Sequence, residues 1–244
     1  MGTERVPIAT LATVFAVVLL IEFVVLGIAP LDRSAWVLEN VLVVLLVGGL
    51  VLTYRRFRFS RISYTCLFLF LVVHEIGSHY TYSEVPYEEF FAGLFGTGPD
   101  AWFGWERNHF DRAVHLLYGL LIAYPIREVT LRIVDARGVW GYVLPLMFTM
   151  ATSMIYELIE WGAALTFGGE LGAAYLGTQG DVWDAHIDMA LASLGAALTM
   201  LLVLAMNVFL QRDFAAAWAE SCRVKSSRPM GEEALDDPSA DRPL

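Results

Sequence analysis

Six apolar runs, each about as long as a lipid bilayer is thick, take up most of the chain: Ile8–Ala29, Trp36–Tyr54, Ile62–Tyr80, Phe110–Glu128, Trp140–Phe167 and Trp183–Leu210. A helix needs about 20 such residues to cross a hydrocarbon core of about 30 Å. Backbone polar groups inside lipid must be satisfied within the segment, and these continuous runs lack the alternation of a barrel strand, so helices are the solution they allow. The sequence therefore predicts an all-α, polytopic transmembrane bundle of about six helices in a plasma membrane. A hydrophobic fraction of 57% agrees with lipid as the main solvent. The first run is longer than a signal-peptide core of roughly 7–15 residues and reads as a retained span.

Residues 1–212 form the expected transmembrane domain, with its polar part in 62–210. Residues 213–244, rich in Ser, Pro and acid, read as a disordered acidic tail. The net charge of −10 argues against a nucleic-acid partner, which would need clustered Lys and Arg. Two cysteines, Cys66 and Cys222, make neither a disulfide framework nor a thiolate metal site. Thirteen of the sixteen basic residues fall before the first run, in 55–61, in 127–137 or in the tail; Arg33, Arg107 and Arg112 lie in the alternate connections. The positive-inside rule then puts both termini in the cytoplasm.

Ionisable residues inside a membrane are costly, by about 2.5–3.5 kcal/mol each on insertion scales, and mark candidate functional sites. Here they gather at one depth. The third run ends in His74-Glu75-Ile76-Gly77-Ser78-His79, and the fourth opens with Arg107-Asn108-His109-Phe110-Asp111-Arg112-Ala113-Val114-His115. The fifth carries Tyr156-Glu157-Leu158-Ile159-Glu160, and the sixth opens with Gln179-Gly180-Asp181-Val182-Trp183-Asp184 and continues to Asp188. Residues three or four apart share a helix face. That rule pairs Glu75 with His79, Asp111 with His115, and Glu157 with Glu160, and it strings Asp181, Asp184 and Asp188 together. His74 points about 140° away from His79 and is expected outside a common ion site.

Glu75, Asp111, Glu157, Glu160, Asp181, Asp184 and Asp188 are seven carboxyl groups facing two guanidiniums, Arg107 and Arg112. Such an excess must hold protons, admit water or bind a cation. Carboxylate with imidazole and no thiolate suits Zn, Mn, Fe or Mg without choosing among them. Each member also has a plain reading: Asp181 as a helix cap, Asp111 as an N-terminal helix charge, His115 as a packing histidine. The loop 81–107, with Tyr82, Tyr87, Phe90, Phe91, Phe95, Trp102, Phe103 and Trp105, fits an interfacial aromatic belt or a lid hinged at its glycines. Gly162, Ala163 and Ala164, with Ala192, Ser193, Ala196 and Ala197, are expected to permit close helix packing. Glu22 receives no role.

At His74-Glu75, His79-Tyr80-Thr81-Tyr82, Arg107 to Arg112, Tyr156 to Trp161 and Leu176 to Asp181 the chain resembles the YjdF-like family of uncharacterised inner-membrane proteins, which implies a multi-pass protein and no activity. Asp111 to His115, Glu157 to Glu160 and Asp188 to Gly195 also look like blocks of the VanZ-like membrane proteins, with Arg112, Glu160 and Ala192 departing from that pattern.

The function expected from these residues is a metal-assisted enzyme, a hydrolase or transferase, acting on a lipid or lipid-linked substrate at the extracytoplasmic side. Its metal ligands would be Glu75, His79, Asp111, His115 and Asp184. Glu157, Glu160 and Asp188 would serve in catalysis, and His74, His109, Arg112, Gln179 and Asp181 would complete the polar core. A proton-coupled transporter and a non-catalytic module with a structural polar core remain as alternatives.

Overall fold

A computed structural model describes residues 6–169, 172, 176, 178–210 and 214–223. Six helices in it are long and apolar enough to cross a membrane: α1 (Ile8–Leu26), α2 (Arg33–Thr53), α3 (Arg61–His79), α6 (Phe110–Arg132), α7 (Trp140–Phe167) and α8 (Asp184–Leu210). Two short helices, α4 (Tyr87–Phe95) and α5 (Pro99–Phe103), occupy the connection between α3 and α6, and α9 (Phe214–Ser221) follows the last span. No strand occurs among the described residues. The six spans match the six apolar runs to within a few residues at each end.

Local chemistry sets where the helices begin and stop. Asp32 caps α2, its Oδ1 accepting from the backbone N–H groups of Ser34 and Ala35 at 2.7 and 2.8 Å. Arg33 reaches back to the end of α1 and donates to the carbonyls of Gly27 and Ile28, acceptors that the finished helix leaves without partners. Ser60 caps α3 through Ser63 N–H. The Glu128 carboxylate ties this turn to α6, accepting from Ser60 N–H and, at 2.6 Å, from Ser63 Oγ, while Arg132 closes on its other side. Pro125 in α6 and Pro145 in α7 lie inside spans, as neighbouring helices and hydroxyls permit in membranes.

The centre of the bundle is the crossing of α6 with α8. Gly119 and Gly195 sit backbone to backbone: a Cβ built on Gly119 would lie 2.0 Å from the Ala192 carbonyl oxygen, and one on Gly195 2.3 Å from that of Leu116. Ala123, Ala192 and Ala196 are fully buried beside them. The small-residue expectation holds for Ala192 and Ala196. It fails at Gly162, where nothing lies within 4 Å, because that face of α7 looks outward. α7 packs on both α6 and α8, α3 on α6, and α1 and α2 pack chiefly on α3. α1 buries none of its residues, which leaves it as a lipid-facing outer helix.

The tail expected to lack structure from residue 213 begins instead with α9. It docks on the α6–α7 turn: Val139 N–H donates to Ser221 Oγ, Trp140 Nε1 to the Ser221 carbonyl, and Trp218 rests against Tyr142. Residues 224–244 lie outside the described chain. In the loop 81–107, Phe90, Phe95, Phe103 and Trp102 are exposed and stack on one another or on near neighbours. Tyr82 and Val85 of the same loop turn inward and are buried.

Candidate functional site

At the bundle end carrying α4 and α5, the entrances to α6 and α8 place Asp181 and Asp184 beside Arg107 and Arg112. Arg107 donates to Asp184 at 2.8 Å and approaches Asp181 at 3.5 Å; Arg112 meets Asp181 at 2.5 Å and Asp184 at 3.5 Å. This clamp holds the α8 entrance onto the α6 entrance. Arg107 also donates to the Thr178 carbonyl, and Gln179 exchanges two hydrogen bonds with the Asn108 backbone. Asp181 additionally caps Trp183 N–H, and these bonds hold its carboxyl below the usual range. His109 stacks on Trp105 with centroids 4.4 Å apart, and partial burial, with Arg112 and Arg107 nearby, pushes its imidazolium form down. Asp181, Asp184, Arg112, Gln179 and His109 are thus clamp residues, with Asp184 among them rather than free to bind an ion.

One turn deeper the charges no longer balance. Asp111 and His115 of α6 and Asp188 of α8 each offer a ligand atom, all within 4.8 Å of one another. His115 Nε2 lies 3.6 Å from Asp111 Oδ1 and 3.5 Å from Glu157 Oε1 of α7. His115, Glu157 and Asp188 are buried, and Glu157 Oε1 and Asp188 Oδ1 have no hydrogen-bond partner. Both guanidiniums spend their short contacts on the clamp. Buried carboxylate oxygens without a donor are costly, so this cluster needs a proton or a cation.

A third layer joins α7 to α2. Tyr156 donates to Glu39 Oε2 at 2.8 Å, and Glu160, one turn on, is within hydrogen-bonding reach of Tyr156 and of Glu157. A phenol has one hydrogen and cannot serve two carboxylates at once. Glu39, 4% exposed, and its buried neighbour Asn40 went unnoticed in the sequence, although they form the polar pair near the start of an otherwise apolar run.

Glu75 and His79 belong elsewhere, and this departs from the expected ligand set. His79 Nδ1 is 2.7 Å from the Leu26 carbonyl at the end of α1. Glu75 is buried with both oxygens unpartnered, and the carboxyl near it is Glu22 of α1. The reason is helical phase: the α3 face bearing positions 75 and 79 turns to α1. The face bearing His74 turns the other way, as its angular offset requires. His74 Nδ1 is 2.5 Å from Tyr82 Oη. Thr81 and Tyr82 both take φ of 56°, unusual for residues with side chains, and this turn drives the Tyr82 ring under the loop. Burial pushes its phenol well above the ordinary value, so it stays protonated.

Below these groups is a cavity of about 300 Å³, running between α2, α3, α6 and α7. Asp111, His115, His74, Tyr82 and Tyr156 line its polar end, while Leu42, Leu46, Phe70, Leu71, Val114 and Ile159 supply apolar wall. A Tyr118–Thr152 hydrogen bond of 2.7 Å adjoins it.

Fold and site together define a multi-pass plasma-membrane protein with an uncompensated acid–imidazole cluster at one end of its helix bundle. The family model described as "Predicted membrane protein (DUF2238)" matches residues 11–208. The inner membrane protein YjdF of Escherichia coli (strain K12) is 35% identical over 187 residues, covering 76% of this chain and 85% of that protein. The chain belongs to the DUF2238/YjdF family of membrane proteins. No solved structure matches it.

Proposed function

We propose that the protein is a metal-assisted enzyme, a hydrolase or transferase, acting on a lipid or lipid-linked substrate at the extracytoplasmic face. The reading rests on one observation: Asp111, His115 and Asp188 present ligand atoms within 4.8 Å of one another, with unpartnered carboxylate oxygens on Asp188 and Glu157. An oxygen-rich set with one imidazole suits Zn, Mn, Fe or Mg. A divalent ion there would polarise a phosphoryl or carbonyl oxygen and lower the pKa of a bound water. With such an ion bound, Glu157, 3.5 Å from His115, would serve as general base, and Glu160, within hydrogen-bonding reach of Glu157, as the next proton acceptor.

The basic residues support an orientation with both termini cytoplasmic, which sets the cluster toward the outer leaflet. The likeness to VanZ-like proteins rests on the three short blocks and adds no residue role. Metal content of detergent-purified protein tests the proposal. One divalent ion per chain, lost in a His115→Ala/Asp188→Asn variant that still folds, is the expected outcome. Metal-free protein after growth with and dialysis against each candidate ion would leave the cluster as a protonated structural core.

A further inference from the structure

Two buried polar side chains on the wall of the apolar cavity have hydrogen-bonding capacity to spare. Ser153, 2% exposed, and His74, 7% exposed, both line it; Ser153 Oγ is buried without a hydrogen-bond partner, and His74 Nε2 has none beyond the Glu39 backbone. His74 Nδ1 shares a 2.5 Å hydrogen bond with the Tyr82 hydroxyl, which leaves Nε2 as the ring nitrogen open to a further partner. Ser153 lies one helical turn, about 6 Å, below Glu157 on α7. A ligand filling this space would meet charged and hydrogen-bonding groups at the polar end and hydrocarbon beyond them.

The entrance faces lipid. α2 and α7 flank the cavity while each packs mainly on other helices, and the Tyr156–Glu39 bond spans the gap at its polar end. Leu46 on one lip and Ile155 and Ile159 on the other are exposed at 38%, 50% and 41% within spans whose surroundings are hydrocarbon. A volume near 300 Å³ is at the small end of ligand pockets and has room for part of one chain.

We infer that the cavity seats one hydrocarbon chain of a glycerol-based membrane lipid, entering between α2 and α7, with its glycerol-level oxygens on Ser153 Oγ and His74 Nε2 and its headgroup at the Asp111–His115–Asp188 cluster. The passage from a polar end to apolar walls matches that along such a lipid, whereas a soluble metabolite or a bare hydrocarbon would match only one of the two. The inference builds on the proposed lipid substrate and adds where each part of it lies.

Native mass spectrometry of the purified full chain with dioleoylphosphatidylglycerol, with and without one equivalent of zinc, tests it. Wild type should retain one lipid per chain. Leu46→Trp and, independently, Ile155→Trp, which block opposite lips at half-exposed positions, should each reduce retention at least tenfold. His74→Phe/Ser153→Ala should weaken it about tenfold, the effect of removing two ordinary hydrogen bonds, with zinc content unchanged. No retained lipid in wild type under either condition, or retention indifferent to both tryptophan variants, would overturn the inference. Plug-sensitive lipid on a chain that binds no zinc would uphold this seat and remove the metal-based reading. Zinc bound by a chain that never retains lipid would do the reverse.

Discussion

Gly119→Ala is expected to damage both the fold and the cluster. The added Cβ would fall 2.0 Å from the Ala192 carbonyl oxygen, where ordinary contact begins at 3.4 Å, and the obstacle is backbone rather than a side chain that can swing away. Relief therefore requires α6 and α8 to part by roughly the 1.4 Å difference at their closest point. Overpacking of this kind costs about 1–3 kcal/mol, and the rigidity of both partners argues for the upper part of that range. At about 2–4 °C per kcal/mol for a chain of this size, melting in detergent should fall by roughly 5–10 °C. Because Asp111 and His115 ride on α6 and Asp188 on α8, the same displacement should weaken divalent-metal affinity by about 10–100-fold, the loss that follows when the support of metal ligands is disturbed. Gly162→Ala is the control: nothing lies within 4 Å of its Cβ, and the helix-propensity gain of about 0.5–1 kcal/mol should leave stability unchanged or raised. Differential scanning fluorimetry and metal titration of the two variants side by side decide the matter. A Gly119→Ala protein that melts and binds metal like wild type would refute the close-crossing argument.

Four further outcomes follow from the site. Arg107→Ala leaves the 3%-exposed Asp184 without its shortest partner and should destabilise by about 3–5 kcal/mol, read as a lowered melting temperature in detergent. Tyr156→Phe removes the donor to buried Glu39 and should cost about 1–3 kcal/mol, with Glu39→Gln in the same background recovering much of it. His79→Ala should leave metal content untouched, since that ring bonds to the end of α1; loss of metal there would contradict the placement of α3. Asp181 has a folded pKa below its unfolded value of about 3.9, so its contribution is complete above that pH and disappears as pH falls through the lower folded value. A melting profile of wild type against Asp181→Asn should therefore diverge above pH 4 and converge in stronger acid.

The spans were legible because lipid imposes a length and a composition that survive in any register, and the caps at Asp32 and Ser60 only trim their ends. The depth of the cluster was legible for the same reason, since 1.5 Å per residue converts position into height. What the sequence withheld was azimuth. Spacing placed Glu75 with His79 on one face of α3, but which neighbour that face meets depends on packing, and it meets α1. Asp181, Asp184 and Asp188 read as one stripe, yet the two arginines divide them, engaging the first two and leaving Asp188 to His115. Glu39 was masked by its apolar surroundings, and the significance of Gly119 and Gly195 appears only when their two backbones are seen in contact.

Cobalt substitution addresses the central claim most directly, because Co²⁺ reports its own ligands. The purified protein should take up one Co²⁺ per chain with an absorption spectrum of oxygen and nitrogen ligation, and X-ray absorption should show a single imidazole in the shell. His115→Gln should remove that imidazole and Asp188→Asn should abolish binding. A chain that binds no cobalt, or binds it unchanged in both variants, would contradict the account.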